Sequence, residues 1–514
     1  MREKLSTVAV ILAVMLLGGC LTISPNMVVQ PNIIPSDVES LTLQSTIIAF
    51  SDEILLSTFD FEYGHHVEPT LAISDNGTIF AGWKNSETHN GGGADVSFTK
   101  SIDGGETWDI PSFMSNFESR NTRKSDPWLV WHDDTIYYAY LEFSVSGEEL
   151  SQITVAKSSD YGTTWTEVAA SYGSYFADKE TMVISDSGTI FVAYDDIDTE
   201  GTGLATVRLT RSDDGGNSFS EVSVIGDPAD GHVGPYLTLD NESSVFVAWT
   251  YLMEEGGNIY LDNSTDNGVT FGEERFVNSD GNYSEFTSAD GRPAKGTLPV
   301  IRFDSYNRLY CLWADTFDPS AGSFDVYLRY SEDYGFTWSN RIQISSQSSG
   351  DQWMPDMDID SEDNLHIVYY SEQFGAYKPY YREVSFSGEL RDEITLSKVT
   401  ALTGNLTSAI YTRPGDYFTV RVDSNDIPHV VWTDGRDDTM DIYYTHRADY
   451  IPSTTETTTT TMETTSSTTT DATTTTTSLT TDTGIPLSLI IGGVVGFVVI
   501  LVLALVLFRK SDAS

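Results

Sequence analysis

Five short segments of the chain repeat one pattern, Ser-x-Asp-x-Gly-x-Thr/Ser-Trp/Phe. The first copy is Ser101–Trp108, and the later copies begin at Ser158, Ser212, Ser264 and Ser331. A repeat of roughly 55 residues is typical of propellers and other architectures that are built from copies of one supersecondary unit. We therefore expect most of the chain to consist of successive copies of a single structural module.

Each residue type in the motif has a physical role in a tight turn between two strands. The aspartate carboxylate can accept hydrogen bonds from backbone N–H groups of its own turn. Glycine adopts the positive φ that other residues resist, and the aromatic residue opens the next strand and packs on the core. The motif aspartates are therefore predicted to be structural and not catalytic: Asp103, Asp160, Asp214, Asp266 and Asp333.

A second element precedes each motif and is predicted to be a β-hairpin. It combines strand-length apolar alternation with a central turn of Asp, Asn, Ser or Gly, and it ends in an aromatic residue. With the strands before and after the motif, each unit has four antiparallel strands, which is a propeller blade. Seven blades are expected, or six if one unit is irregular. The seven hairpins are Pro69–Trp83, Pro127–Tyr140, Glu180–Tyr194, Pro235–Trp249, Pro299–Trp313, Pro355–Tyr369 and Tyr417–Trp432.

The seventh unit ends after its third strand, Asp441–Arg447. The N-terminal segment Glu53–Phe61 is predicted to supply the missing fourth strand. A strand from one end of the chain that completes the last blade leaves no open sheet edge and closes the ring. The propeller is therefore expected to occupy residues 45–450.

The N-terminus has the charged, apolar and small-residue order of a secretory signal. Arg2 and Lys4 precede the apolar stretch Val8–Leu17, and Gly18-Gly19-Cys20 follows. The signal peptide is predicted over residues 1–20. The segment that ends at Cys20 also resembles a lipobox, so ordinary cleavage and lipidation of Cys20 both stay open.

The C-terminal part predicts a stalk and a membrane anchor. Residues 453–483 are mostly threonine, without apolar periodicity, which favours an extended and O-glycosylated stalk. Residues 485–508 carry no charge and are long enough to cross a bilayer as a helix. Arg509 and Lys510 begin the tail, 509–514, and place it in the cytoplasm with the propeller outside the cell. Five glycosylation sequons suit this location: Asn76, Asn241, Asn263, Asn282 and Asn405.

The repeated motif is the Asp box, and these blades resemble those of the sialidase superfamily, also called BNR-repeat proteins. The resemblance implies that the Asp boxes lie on the face away from the ligand. With the signal, stalk, helix and short basic tail, the whole chain resembles stalked, membrane-anchored archaeal surface proteins. The resemblance to the sialidase superfamily implies less about function, because Asp-box propellers include both glycoside hydrolases and non-catalytic surface modules.

A sialidase resemblance also implies a chemical plan, in which three arginines grip the substrate carboxylate and a Tyr–Glu pair and an Asp perform catalysis. The first arginine belongs to an F/Y-R-I-P motif before the first blade. Here that segment is Gly64-His65-His66-Val67-Glu68-Pro69, which keeps the proline and has no arginine. Sialidases are also typically six-bladed. Both departures argue against hydrolysis of sialic acid.

Ligand-binding candidates are expected on loops that lead into the first strand of each blade. The main candidates are His65, His66, Glu68, Arg120, Arg123, Trp353 and Asp356. The same loops also hold Asp126, Asp178, Glu180, His232, Tyr236, Arg292, Lys295, Arg413 and Asp416.

Three further candidates, Arg302, Asp358 and Arg421, occupy one first-strand position in units five, six and seven. Other units have Ala72, Val130, Val183 and Thr238 there. Charged groups near the propeller axis are costly unless they are paired. An inter-blade ion network and a central anion or carboxylate site both remain open as interpretations.

The net charge of the chain limits the classes of molecule that it can bind. The chain has 76 acidic residues against 28 Lys and Arg, for a formal net charge of −48, so nucleic acid is excluded as a partner. No cofactor is required, although the acidic loop Asp434–Asp438 makes Ca²⁺ a candidate ligand. We expect a non-catalytic module that binds or adheres to a glycan or surface protein. The alternative is an extracellular, exo-sialidase-like glycoside hydrolase.

Overall fold

The computed structural model describes residues 48–58, 65–86, 95–114, 122–144, 151–171, 175–226, 231–253, 256–278, 298–315, 323–346, 350–402, 414–437 and 439–449. The chain divides into two units, Met1–Pro452 and Ser453–Ser514. The predicted signal peptide, stalk, transmembrane segment and tail all lie outside the described residues. Within the described ranges, no helix has the length and apolarity needed to cross a membrane.

The described residues form 29 strands in seven antiparallel sheets. From the inner to the outer strand, blade one is β2 (His65–Ile73), β3 (Ile79–Ser86), β4 (Asp95–Ser101) and β5 (Ser112–Phe113). Blade two is β6 (Thr122–His132), β7 (Thr135–Ser144), β8 (Ser151–Ser158) and β9 (Thr166–Ala169). Blade three is β10 (Phe176–Ile184), β11 (Ile190–Ile197), β12 (Ala205–Ser212) and β13 (Ser220–Ile225). Blades four and five are β14 (Gly231–Leu239), β15 (Val245–Met253), β16 (Gly256–Ser264), β17 (Arg275–Phe276); and β18 (Val300–Phe303), β19 (Leu309–Asp315), β20 (Asp325–Ser331), β21 (Ile342–Gln343).

The last two blades carry the irregularities. Blade six is β22 (Gln352–Ile359), β23 (Leu365–Gln373), β24 (Ala376–Val384) and β25 (Ile394–Thr395), and β26 (Ala401–Leu402) also pairs with β24. Blade seven is β27 (Thr419–Val422), β28 (Pro428–Asp434), β29 (Asp441–His446) and, as its outer strand, β1 (Ile54–Leu55). The prediction of a seven-bladed, all-β propeller is confirmed, and the six-bladed alternative is wrong.

The ring closes between its two ends, as predicted. Ile54 and Leu55 pair with Tyr444 and Tyr443 of β29. The adjacent Leu56 is 2% exposed and packs among apolar side chains of blades one and seven. The N-terminal segment therefore covers the edge of β29 and contributes to the core.

Aromatic side chains near the end of each second strand fill the space between blades. All seven are at most 1% exposed: Trp83, Tyr140, Tyr194, Trp249, Trp313, Tyr369 and Trp432. Tyr138, two residues before one of them, donates a hydrogen bond to the Ser97 carbonyl of the preceding blade at 2.7 Å. Large buried rings at every interface give the ring an apolar core that needs no disulfide.

The inner strands share a bulge close to their first residues. Register shifts occur there in blades one, two, three, four and six. The bulged residues have positive φ, and they are Glu68 (58°), Asp126 (54°), Lys179 (52°), Gly234 (66°) and Met354 (54°). A bulge re-aims side chains at the point where it occurs. In this protein that point is one end of the propeller axis.

Candidate functional site

The two ends of the axis are distinct. At the Asp-box end, the turns after the inner strands lie beside the Asp boxes, and Asn76 donates a hydrogen bond to the Tyr161 hydroxyl at 3.0 Å. At the opposite end, which we call the bulge end, the inner strands begin with their bulges. The family resemblance predicts the ligand at the bulge end.

The Asp boxes form the same turn in each of the five copies. In the first, Asp103 Oδ1 accepts hydrogen bonds from the Ser101 hydroxyl at 2.8 Å and the Thr107 backbone N–H at 2.9 Å. These bonds and one from the Thr107 hydroxyl lower the pKa of Asp103 to about 2. Asp160, Asp214, Asp266 and Asp333 make equivalent bonds.

Acidic side chains gather at the bulge end. We call them the carboxylate cluster: Glu68, Asp126, Asp178, Glu180, Asp195 and Asp416. Two lysines lie among them. Lys84 Nζ is 3.4 Å from Glu68 Oε2, while Lys179 Nζ contacts Asp416 and lies 4.0 Å from Asp126 Oδ2. These two lysines are thus the cations that the described contacts place among the six acids.

Burial controls the protonation of the cluster. Burial is the main cause that raises the pKa of Glu68 to about 8 and that of Asp178 to about 7. It also raises the pKa of Glu180 and Asp195 well above the ordinary values. Burial opposes ionisation of Asp126 as well, but Lys179 and Lys84 hold its pKa below the usual value.

Two carboxyl groups of the cluster have pKa values that are displaced in opposite directions. Burial is the main cause that raises the pKa of Asp178, and the nearby Asp126 carboxylate adds to it, whereas the pKa of Asp126 itself is lowered. A pair of carboxyl groups that share a proton can supply one acid and one base. Chemistry at this pair would also need room for a substrate.

The described residues leave little room at the bulge end. Glu68 is 0% exposed and Glu180 is 2% exposed. The adjoining cavity measures about 40 Å³, and its wall contains Lys179, Glu180, Asp356 and Asp416 among mostly apolar residues. A volume of this size accepts a few water molecules and no sugar ring.

A layer of side chains closes the axis beneath that cavity. The rings of Trp128 and Tyr236 meet edge to face at 5.5 Å. Trp128 Nε1 donates to the Met182 carbonyl at 3.0 Å, and the Tyr236 hydroxyl lies 3.4 Å from Asp356 Oδ1. The two ends of the axis are thus separated by a plug.

The charged trio predicted from the sequence lies on the Asp-box side of the plug. Arg302 Nε is 3.6 Å from Asp358 Oδ1, and Arg421 Nη1 is 3.0 Å from Asp356 Oδ2. Each pair joins neighbouring blades. All three residues of the trio also line an open cavity of about 360 Å³.

The structure distributes the remaining candidates. His66 is buried, with Nδ1 2.8 Å from Asn85 Oδ1, and Trp353 is buried against Tyr370. His65 begins β2, where its Nδ1 accepts a hydrogen bond from the Met440 N–H at 3.2 Å. Arg123 lies on an inner strand and is partly buried. His232 is also on an inner strand, and its ring is buried beside that of Trp249. Four predicted cations lie outside the described residues: Arg120, Arg292, Lys295 and Arg413.

Sequence reasoning missed Lys84 and Asp195 as members of the bulge-end site. Both lie on second strands, directly after the interface aromatics Trp83 and Tyr194. The available signal was a charged residue inside a mostly apolar strand: Lys84 in β3, and Asp195 with the adjacent Asp196 in β11. It is informative because a buried charge needs a partner.

Calcium remains a prediction. Asp434 Oδ2 accepts a hydrogen bond from Arg436 Nη2 at 2.7 Å, and Asp438 lies outside the described residues. Among side chains that the structure describes, no group of three or more His, Cys, Asp or Glu is arranged to hold a metal ion.

Comparison with known proteins identifies one family. A model described as a BNR repeat-like domain matches residues 77–367, which is more than half of the chain. No curated protein sequence matches significantly.

Solved structures with similar folds include three proteins of low identity. A protein of unknown function from Dyadobacter fermentans is 15% identical, with 63% of this chain and 95% of that chain covered and a TM-score of 0.47. A PL25 ulvan lyase is 12% identical, with 76% of this chain and 95% of that chain covered and a TM-score of 0.49. Trypanosoma rangeli sialidase is 13% identical, with 66% of this chain and 59% of that chain covered and a TM-score of 0.42.

Proposed function

This chain belongs to the family of BNR repeat-like domains, and from that membership we propose that its propeller is a non-catalytic module that binds a glycan or a surface protein. The bulge end would carry the ligand, because the inner strands of the blades begin there with their bulges and the carboxylate cluster. Binding sites are commonly formed by loops on a rigid scaffold.

The observation that carries this proposal is the burial of two members of the carboxylate cluster, Glu68 and Glu180. A glycoside hydrolase must bring an acid and a second carboxylate into contact with its substrate, on either side of the glycosidic bond. Glu68 and Glu180 are almost completely buried, and the neighbouring cavity holds about 40 Å³. The cluster is therefore better suited to fixing the bulges than to reaching a sugar.

The second candidate function is glycoside hydrolysis. It is favoured by the opposite displacement of the pKa values of Asp126 and Asp178, two carboxyl groups of the same cluster. Opening of the bulge end on substrate binding would be required before this pair could act. In that case Asp178, with a pKa of about 7, would be the proton donor.

The two functions make different predictions for the full-length chain. A glycan array would be measured beside turnover of a panel of chromogenic glycosides, with Asp178→Asn as the test variant and exposed Asp186→Asn as the matched control. Saturable binding without turnover supports the binding module. Turnover that disappears in Asp178→Asn and persists in Asp186→Asn supports the hydrolase and overturns our preference.

We also propose a cell-surface location, with residues 485–508 as a single membrane span and residues 453–483 as the stalk. Support comes from the uncharged stretch followed by Arg509 and Lys510. Protease added to intact cells should release the propeller and leave a C-terminal epitope tag protected. A tag that is digested without permeabilisation contradicts this orientation.

A further inference from the structure

The cavity at the Asp-box end of the axis, which we call the axial funnel, has a chemically divided wall. Inner strands of all seven blades line its volume of about 360 Å³. Blades one to four contribute apolar side chains such as Leu71, Val183 and Leu239 together with Thr238, whereas blades five to seven contribute Arg302, Asp358 and Arg421. Cavities of a few hundred Å³ with mostly apolar walls and a few polar groups are typical of small-ligand sites.

The fold itself does not require these charges. Four blades have an uncharged residue at the equivalent strand position, namely Ala72, Val130, Val183 and Thr238. Those blades form the same four-stranded sheet. Two partly buried arginines in such a wall lose part of their hydration, so their presence is more readily explained by a ligand than by sheet formation.

Both guanidinium groups are held in place by a carboxylate, a backbone carbonyl and an aromatic face. Arg421 Nη1 bonds to Asp356 Oδ2 at 3.0 Å, and its guanidinium carbon lies 5.7 Å from the centre of the Trp128 ring. Arg302 Nη1 bonds to the Ile301 carbonyl at 3.1 Å, and its guanidinium carbon lies 5.0 Å from the centre of the Tyr236 ring. Arginines fixed in this way are pre-organised to receive a ligand.

The acidic partners occupy only part of each guanidinium. Asp356 contacts Nη1 of Arg421, and Asp358 contacts Nε of Arg302. Each guanidinium has five N–H donors, so donors remain on the funnel side, where both arginines form the wall. The two arginines are balanced by Asp356 and Asp358, so an anionic ligand would be held by the remaining N–H donors and not by a net positive charge of the wall.

We propose that the axial funnel binds a small organic carboxylate, with its anionic group on Arg302 and Arg421 and its apolar part against blades one to four. Charge-assisted hydrogen bonds from arginine suit a carboxylate, and the apolar wall selects a hydrocarbon or aromatic body. This site is separate from the bulge end, because Trp128 and Tyr236 plug the axis between them.

The test uses phenylacetate as the probe and titrates it into the full-length protein, with binding followed by calorimetry and tryptophan fluorescence. Phenylacetamide, which has the same body without the charge, is the matched ligand. We expect saturable binding of phenylacetate and at least about tenfold weaker binding of phenylacetamide. Equal binding of the two probes, or no saturable binding of phenylacetate, overturns the proposal.

The variants separate the funnel from general charge effects. Arg302→Met and Arg421→Met should each weaken phenylacetate binding about tenfold or more, while Arg391→Met, which removes a half-exposed arginine outside the funnel, should change it less than twofold. Val130→Asp, in blade two, adds a negative charge to the wall across from the arginines and should weaken binding similarly without a new contact to either arginine pair. If an arginine variant fails to fold, Val130→Asp provides the test. Unchanged affinity in Val130→Asp and in folded arginine variants contradicts the proposal.

Discussion

Glu68 gives the most direct test of how the carboxylate cluster behaves. Its side chain is completely buried, and burial raises its pKa from 4.5 to about 8, despite the opposing charge of Lys84. Between these two pH values the unfolded chain has released this proton while the folded protein keeps it. Each unit of pH in that interval therefore lowers the free energy of unfolding by about 1.4 kcal/mol.

Replacement by glutamine removes this titration and keeps the shape of the side chain. From pH 4.5 to 8 the accumulated difference reaches roughly 5 kcal/mol, because 3.5 pH units contribute about 1.4 kcal/mol each. Glu68→Gln should thus match the wild type in stability near pH 4.5 and become more stable by several kcal/mol at pH 8. The sign follows from a raised carboxyl pKa, whose stabilising contribution is complete below the unfolded value and lost as pH rises through the folded value.

The assay is urea denaturation of both proteins at pH 5, 6, 7, 8 and 9. Exposed Glu362→Gln is the matched control, and its difference from wild type should stay within about 0.5 kcal/mol at every pH. Subtraction of the wild-type curve removes the general pH dependence of a chain with 76 acidic residues. A difference for Glu68→Gln that does not change with pH, or that favours the wild type as pH rises, would refute the reasoning.

Three further predictions concern the ring. Asp103→Ala should lower the free energy of unfolding by about 1–2 kcal/mol in denaturant titrations, since its carboxylate holds the turn, and an effect equal to that of exposed Asp186→Ala contradicts this. Gly105→Ala should lower the free energy of unfolding by about 3 kcal/mol or more in the same measurement, because φ at Gly105 is +97° and the new methyl group would overlap Tyr444. Gly104→Ala is the control, since φ there is +77° and the methyl group would meet open space, and it should lower the free energy of unfolding by about 1 kcal/mol. Deletion of residues 48–58 should expose the edge of β29 and produce oligomers in light scattering, and a monomer with an unchanged melting temperature is the opposing result.

Much of the fold follows from local patterns that have one geometric solution. The Asp-box turns and the proline-led hairpins each fix a pair of strands, and the missing outer strand of the seventh unit leaves only the N-terminal segment to complete it. The pairing of Ile54 with Tyr444 confirms that step. Blade six departs from the pattern because two short strands, β25 and β26, both pair with β24, and none of the five Asp boxes lies in this unit to mark where its outer strand begins.

The candidate site was less accessible to sequence reasoning. Glu68, Asp178 and Glu180 were identified by their place before or within an inner strand, but their clustering depends on how three blades meet at the axis. Lys84 was missed because it follows an interface aromatic on a second strand, where alternation predicts either a core or a solvent position. Burial of a charge is a property of the assembled ring.

Backbone strain at the bulge end bears on whether the cluster has a use. Gly234 and Gly415 have positive φ in the inner segments of blades four and seven, with φ values of 66° and 98°. At the bulges of blades one to three the residues are Glu68, Asp126 and Lys179, which pay a conformational cost of about 1 kcal/mol each that glycine would avoid. Their side chains are also ionisable and mostly buried, so each must lose hydration or, as at Glu68, give up its charge. Two costs at the same three positions are difficult to explain by the backbone alone, so the side chains themselves are what the bulge end requires, and the pH dependence of Glu68→Gln measures the larger of those costs directly.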